Sequence, residues 1–153
     1  DRAQAGRAAL YRNFPDRAAL IEALLKRAVV RIERQVERLG DRDDALFQVL
    51  DGMASRLVHS PALADYWRAV DPDHPPMAAA RLAVRAALKA PIQRAIDAGL
   101  CRPDLQPADI SLISSMLGAA LRGKTTEERE HLATRAMDLL RGGLHGPARE
   151  RGG

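Results

Sequence analysis

Leu10-Tyr11-Arg12-Asn13-Phe14-Pro15-Asp16-Arg17 sets two aromatics, two arginines and an amide into eight positions, ten residues from the start of the sequence. The stretch closes one short helical segment and opens a longer one, with Asp16 as an N-cap after Pro15. It reads as the back half of a helix-turn-helix whose DNA-reading helix runs straight into a connecting helix. Such a motif needs an earlier helix to brace the reading helix, and the residues before Leu10 are too few to hold all of it.

Working outward, composition points to a helical protein. At 153 residues one domain is the default, with room for a small appendage. The 46% hydrophobic and 29% charged shares suit a globular chain. Aromatics are only 3%, so the core is built from Ala, Leu, Ile and Val, and an Ala-, Leu- and Arg-rich chain favours helix over sheet. No run approaches the roughly 18 continuous apolar residues of a membrane span, and no signal-peptide pattern opens the sequence. A cytoplasmic location without membrane attachment is expected. The single cysteine, Cys101, has no partner for a disulfide and no neighbours for a metal site, and reads as a half-buried apolar residue. No metal or cofactor is implied.

Charge is unevenly divided. Residues 1–42 hold ten Lys/Arg against six Asp/Glu, a net of +4, and residues 43–153 hold fourteen of each. The basic excess therefore lies with the DNA-reading segment, where it suits phosphate contact. Arg27, Arg31, Arg34 and Arg38 recur at helical spacing and read equally well as a solvated face.

Helix follows helix along the chain. Apolar residues at Leu20, Leu24, Ala28, Ile32 and Val36 predict a helix of over twenty residues from Asp16 to about Leu39, stopped by Gly40. A second runs from about Asp44 to His59. Ser60-Pro61 starts a short one carrying Tyr66 and Trp67. Residues 71–76, with three prolines and two aspartates, read as a loop. The next helix spans about Met77 to Ala98, and Pro91 predicts a kink or break near Ala90. Pro107 opens a helix burying Ile110, Ile113, Leu117 and Leu121, with Gly118 allowing close approach of a neighbour. Thr125 and Glu128 have capping-box spacing for a last helix reaching about Leu144, and the Gly- and Arg-rich tail from Gly142 is expected to fray. No strand is expected. The fold class is all-α.

Residues Ala3 to Leu20, with the run Leu10 to Arg17 at their centre and Ala19-Leu20 after it, resemble the helix-turn-helix signature of TetR-family transcriptional repressors. The helix order from about Asp43 onward agrees, and Ala98 to Leu105 resembles a junction found in that family. The resemblance implies a helix-turn-helix head and connecting helix over residues 1–40, a ligand-binding and dimerisation body over 41–146, and a flexible tail over 147–153. Arg7 to Asn13 becomes the recognition helix in the major groove. Arg7 is the best base reader, since a guanidinium pairs bidentately with guanine, and Ala8 and Ala9 lie beside it on the DNA-facing segment. Tyr11, Asn13 and Arg17 match phosphate-touching positions, and Arg12 suits either task. Leu10 and Phe14 hold the head's small core.

Two departures stand out. Gln4 occupies a turn position where the family favours glycine, and Ala9 stands where Thr or Ser commonly touches the DNA backbone. The first helix and most of the second of the motif are not among residues 1–153, so this polypeptide alone is expected not to bind operator DNA tightly.

The resemblance further implies a non-enzymatic, ligand-responsive repressor. An unidentified small molecule would enter the body, swing the connecting helix and change the spacing of paired recognition helices away from the about 34–36 Å of successive major grooves. Candidate cavity residues are Met53, Leu57, Tyr66, Trp67, Met77 and Arg94, with His59 and His74 as lesser polar candidates. Tyr66 and Trp67 are two of only five aromatics in the chain. The last two helices would pair with their symmetry mates in a homodimer through Ile110, Ile113, Leu117, Leu121, Leu132, Ala136, Leu139 and Leu140.

Two other classes stay open. Gly118 to Thr125 fits the phosphate-loop pattern G-x-x-x-x-G-K-[ST], which would make the protein a nucleotide-binding enzyme. That chemistry needs a buried strand before the loop, and the apolar run Ile110 to Leu117 fits a helical face better. A helical interaction module without a DNA role is the third.

Overall fold

A computed structural model describes residues 17–59 and 74–145, and every described element is helical. They are α1 (Arg17–Leu39), α2 (Ala45–His59), α3 (Pro75–Asp97), α4 (Asp109–Gly118), a 3-10 turn (Ala119–Arg122) and α5 (Thr126–Leu144). The protein is all-α over these residues. The N-cap expected at Asp16, the short helix expected after Ser60-Pro61 and the end of the tail lie outside the described residues.

α1 is long because its apolar positions keep one helical stripe in register with the core. Leu25 and Ile32 are buried, and Leu24, Ala28, Val29, Val36 and Leu39 are half-buried beside them. Arg27, Arg31, Arg34 and Arg38 lie on the exposed side. Gly40 ends the helix in the left-handed conformation (φ 55°), with its N–H donating to Val36 O at 3.0 Å.

α2 forms the centre of the bundle. Leu46, Val49 and Leu50 are fully buried, with Phe47, Ala54 and Val58 nearly so. Its start is fixed by Asp44, whose carboxylate takes a bidentate pair from Arg42 (2.8 and 3.0 Å) and a further bond from Gln48 Nε2. Those donors hold the Asp44 carboxyl down to about 2.

α3 departs from the sequence expectation at two points. Pro75 and Pro76 read as loop in the sequence, but they open the helix at its first two positions, where a proline's missing N–H costs nothing. The break expected at Ala90 does not occur, and the helix runs unbroken through Pro91. A proline inside a helix costs about 3 kcal/mol, but here Leu88, Pro91, Ile92 and Ala95 are all buried. Their apolar burial is of comparable size or larger. α3 closes in a Schellman arrangement: Gly99 has φ 70°, Gly99 N donates to Ile96 O, and Leu100 N donates to Ala95 O, both at 2.9 Å.

The segment after α3 turns under the core, burying Cys101 and Leu105. Arg102 N donates to Leu144 O and ties this segment to the end of α5. α5 begins at the capping box expected from Thr125 and Glu128. Glu128 N donates to Thr125 Oγ1 at 3.1 Å, and Glu128 Oε2 accepts from Lys124 N at 2.7 Å. At its far end His145 stacks on Phe47 with ring centroids 5.2 Å apart, and the Arg141 guanidinium lies over the same ring while pairing with Asp51. α2 and α5 are thereby locked together.

Candidate functional site

Where α1, α2, α3 and α4 meet, the helices leave a cavity of about 450 Å³, within the range of small-molecule pockets. Its existence follows from side-chain size. Ala28 on α1, Ala80 on α3, and Ser111, Ser114, Ser115 and Gly118 on α4 line it, and none of them is long enough to fill it. Gly118 was expected to admit a neighbouring helix, but a Cβ built there would meet nothing within 4 Å. It opens onto the cavity instead.

The walls are mainly apolar. α1 contributes Leu25, Val29 and Ile32, α2 contributes Met53 and Leu57, and α3 contributes Met77. Ile110 and Leu121 close the α4 side.

Polar groups enter from three directions. Arg56 comes from α2, Arg81 and Arg85 lie one turn apart on α3, and Arg122 ends the 3-10 turn. Among the described residues, no Asp or Glu lines it. Arg56 Nη1 donates to Gln35 Oε1 at 3.3 Å, but its Nη2 is buried without a hydrogen-bond partner among the described residues. Arg85 Nε is in the same condition. A buried donor left unpaired costs about 1–3 kcal/mol. Burial, and then the nearby charge of Arg31, pull the Arg56 pKa below the usual guanidinium value. The Ser114 and Ser115 hydroxyls donate back to Ile110 O and Ser111 O, which leaves their oxygens free to accept.

Of the cavity residues expected from sequence, Met53, Leu57 and Met77 line it and Arg94 does not. Arg94 Nη2 donates to Gly40 O at 2.9 Å, and Nη1 lies 3.6 Å from Asp41, so Arg94 caps the C-terminal end of α1. A cation suits that end of a helix dipole. Tyr66 and Trp67 lie outside the described residues. His59 and His74 are not in the lining. His59 bonds Ser55 O and lies 3.3 Å from Glu130 on α5, while His74 is the N-cap of α3. Of the DNA-facing set, Arg7, Ala8, Ala9, Tyr11, Arg12 and Asn13 are outside the described residues, and Arg17 is the first residue of α1.

Sequence reasoning missed the four arginines. The signal available was Arg81 and Arg85 at i,i+4 beside Met77 and Val84, but a net charge of zero over residues 43–153 gave no local hint of it.

A second, open groove of about 690 Å³ runs between α4 and α5, beside the segment from Arg102 to Asp109. Leu112 (57% exposed), Met116 and Leu139 (61%) line it, and Leu132 is exposed on the same helix as Leu139. The residues assigned to an interface divide between two environments. Ile110, Ile113, Leu117 and Leu121 are at most 6% exposed and face inward, so they offer a partner little surface. Leu132 and Leu139 are exposed, while Ala136 and Leu140 are half-buried. α4 carries apolar residues on two faces, and periodicity alone does not say which one meets the core.

The phosphate-loop pattern also resolves geometrically. Gly118 to Thr125 spans the end of α4, the 3-10 turn and the N-cap of α5, with an α-helix before it where a strand is required. Lys124 N is bonded to the Glu128 carboxylate. The sequence match does not form a phosphate cradle.

A family model described as the C-terminal domain of SbtR-like transcriptional regulators matches residues 41–146, more than two thirds of the chain. The chain belongs to the TetR family of transcriptional regulators. No curated protein and no solved structure gives a significant match. In this TetR-family chain the matched region begins just after α1, at Asp41. α1 nevertheless forms one wall of the cavity, so the segment that precedes the family's C-terminal domain is in direct contact with it. Among the described residues, no helix is long and apolar enough to cross a membrane.

Proposed function

We propose that this TetR-family regulator is a ligand-responsive repressor, in which a small molecule in the α1–α4 cavity repositions α1 and releases operator DNA. One observation carries the reading: Leu25, Ala28, Val29 and Ile32 of α1 line the cavity directly. α1 continues from the DNA-reading segment, so any ligand that pushes on those side chains acts on the helix entering the DNA-binding head. The far end of α1 is held by Arg94 at Gly40 O, which gives the helix a fixed end about which to tilt.

The DNA contacts in this reading are Arg7, Ala8, Ala9, Tyr11, Arg12, Asn13 and Arg17. Arg7 reads a base edge, and the others position the helix on phosphates or in the groove. The functional unit is a homodimer joined across the open α4–α5 groove, with Leu112, Met116, Leu132 and Leu139 as its apolar contacts. An isologous contact of this kind sets two recognition helices at a fixed spacing. The effector works only through its stronger binding to the DNA-incompetent arrangement. In this reading the protein acts in the cytoplasm.

The test uses the full-length protein. Duplexes are selected from a random pool, and their binding is followed by fluorescence anisotropy against salt. Affinity should fall steeply with salt, and Arg7→Ala should weaken it. Compounds that raise the thermal midpoint through the cavity should loosen the selected duplex. Absence of salt-dependent DNA binding would overturn the repressor reading. DNA affinity that no cavity ligand alters would overturn the coupling.

A further inference from the structure

We infer that the cavity takes a single-chain amphiphile with an anionic head, a medium-chain carboxylate being the simplest example. This rests on the cavity being a ligand site, as proposed above, and adds the chemical class of the ligand.

The argument begins with donors and acceptors. Arg56, Arg81, Arg85 and Arg122 line the cavity, and a guanidinium carries five N–H donors and no acceptor. Two of their nitrogens, Arg56 Nη2 and Arg85 Nε, are buried with no partner among the described residues. Among the described residues, no carboxylate lines the same space to neutralise them. A ligand that only donates hydrogen bonds has nothing to offer the four guanidinium groups, which have no acceptor, and a cation is repelled. An anionic oxygen pair satisfies several donors at once, in the fork geometry that guanidinium groups favour. The Ser114 and Ser115 hydroxyls donate to backbone carbonyls, so in this arrangement their oxygens offer acceptors to a ligand.

The rest of the cavity excludes a compact anion as the whole ligand. Leu25, Val29, Ile32, Met53, Leu57 and Met77 present a continuous apolar wall. A bare inorganic anion leaves that wall empty, and a polyanion has nowhere to place its further charges away from it. An alkyl chain covers the wall while its head reaches the arginines.

The experiment titrates the full-length protein with octanoate and decanoate, with the neutral isostere decanol and with the cationic decyltrimethylammonium, by calorimetry. The neutral dye Nile red serves as an independent reporter of the cavity. Decanoate should bind one per protomer, at least tenfold more tightly than decanol, and displace the dye. Each added methylene should tighten binding about fourfold. Arg85→Met and Arg122→Met should each weaken decanoate tenfold or more while leaving decanol and Nile red unchanged. Urea midpoints near that of the parent would show that the variants fold. Arg56 is kept, because its bond to Gln35 also joins α1 to α2.

If decanol matches decanoate, or the cation binds more tightly, with Nile red still bound, the anionic class is overturned and the ligand cavity survives. If Nile red does not bind, and Ala80→Trp changes none of the titrations, the cavity reading falls and takes this inference with it.

Discussion

Gly52 offers a sharp test of how α1 and α2 are joined. A Cβ at this position would lie 2.8 Å from Gln35 Oε1 and 2.9 Å from its Nε2, closer than real contacts allow. The Gln35 amide is held there by two hydrogen bonds, one donated to Gln48 O at 2.9 Å and one accepted from Arg56 Nη1 at 3.3 Å. Gly52→Ala brings two opposed effects. Alanine is better than glycine in a helix by about 1 kcal/mol. Displacing the amide loses two hydrogen bonds of about 1 kcal/mol each. The expected net result is a destabilisation of about 1 kcal/mol. In a Gln35→Ala background the amide is gone, so the same substitution should stabilise by about 1 kcal/mol. The sign reverses, and the coupling in the double-mutant cycle is about 2 kcal/mol. Urea denaturation of the four proteins, at one fixed protein concentration and with unchanged m-values, measures it. If Gly52→Ala stabilises equally in both backgrounds, the amide is not held as described and the reasoning is wrong.

Other expectations follow from single features of the fold. Leu88 is fully buried on α3, so Leu88→Ala should cost about 2–5 kcal/mol in urea. Thr125→Ala removes the α5 cap and should cost about 1 kcal/mol, with Thr125→Ser restoring most of it. The Asp44 carboxyl is lowered to about 2 from 3.8, so its stabilising effect is fully present above the unfolded value and is lost as pH falls through about 2. Asp44→Asn should therefore flatten the acid limb of a stability–pH profile below pH 4 and leave its neutral limb parallel to the parent. Leu139→Glu on the open α4–α5 groove should shift the mass in multi-angle light scattering from dimer to monomer. A dimer that persists, with an unchanged dissociation constant, would place the interface elsewhere.

Much of the fold was legible because helices announce themselves locally. The α1 stripe, Gly40 as its stop, the Thr125–Glu128 box and the end of α5 near Leu144 are all set by residues within a turn or two of each other. The misreadings share a cause. Pro75-Pro76 look like loop until something follows them in helical register. Pro91 looks like a break until the burial of Leu88, Ile92 and Ala95 is weighed against the lost hydrogen bond. Of the candidate site, Met53, Leu57 and Met77 could be picked out as apolar residues on successive helices. Arg94 could not be told from Arg85, since both are arginines on α3, and only packing sends one to the end of α1 and the other to a cavity.

Local patterns in the sequence are enough to make this protein all-α, to set a basic N-terminal segment before a long helix, and to show the resemblance to TetR-family regulators. Each of these depends on spacing and composition within a short stretch, which local physics reads without knowing the neighbours. Tertiary structure alone decided that small side chains on α1, α3 and α4 would face one another and leave a cavity. It also decided that four arginines from three separate elements would converge there with no carboxylate beside them among the described residues, and which face of α4 would be left outside. Those facts concern which helices touch, and contacts between residues far apart in sequence are fixed only when the whole core closes.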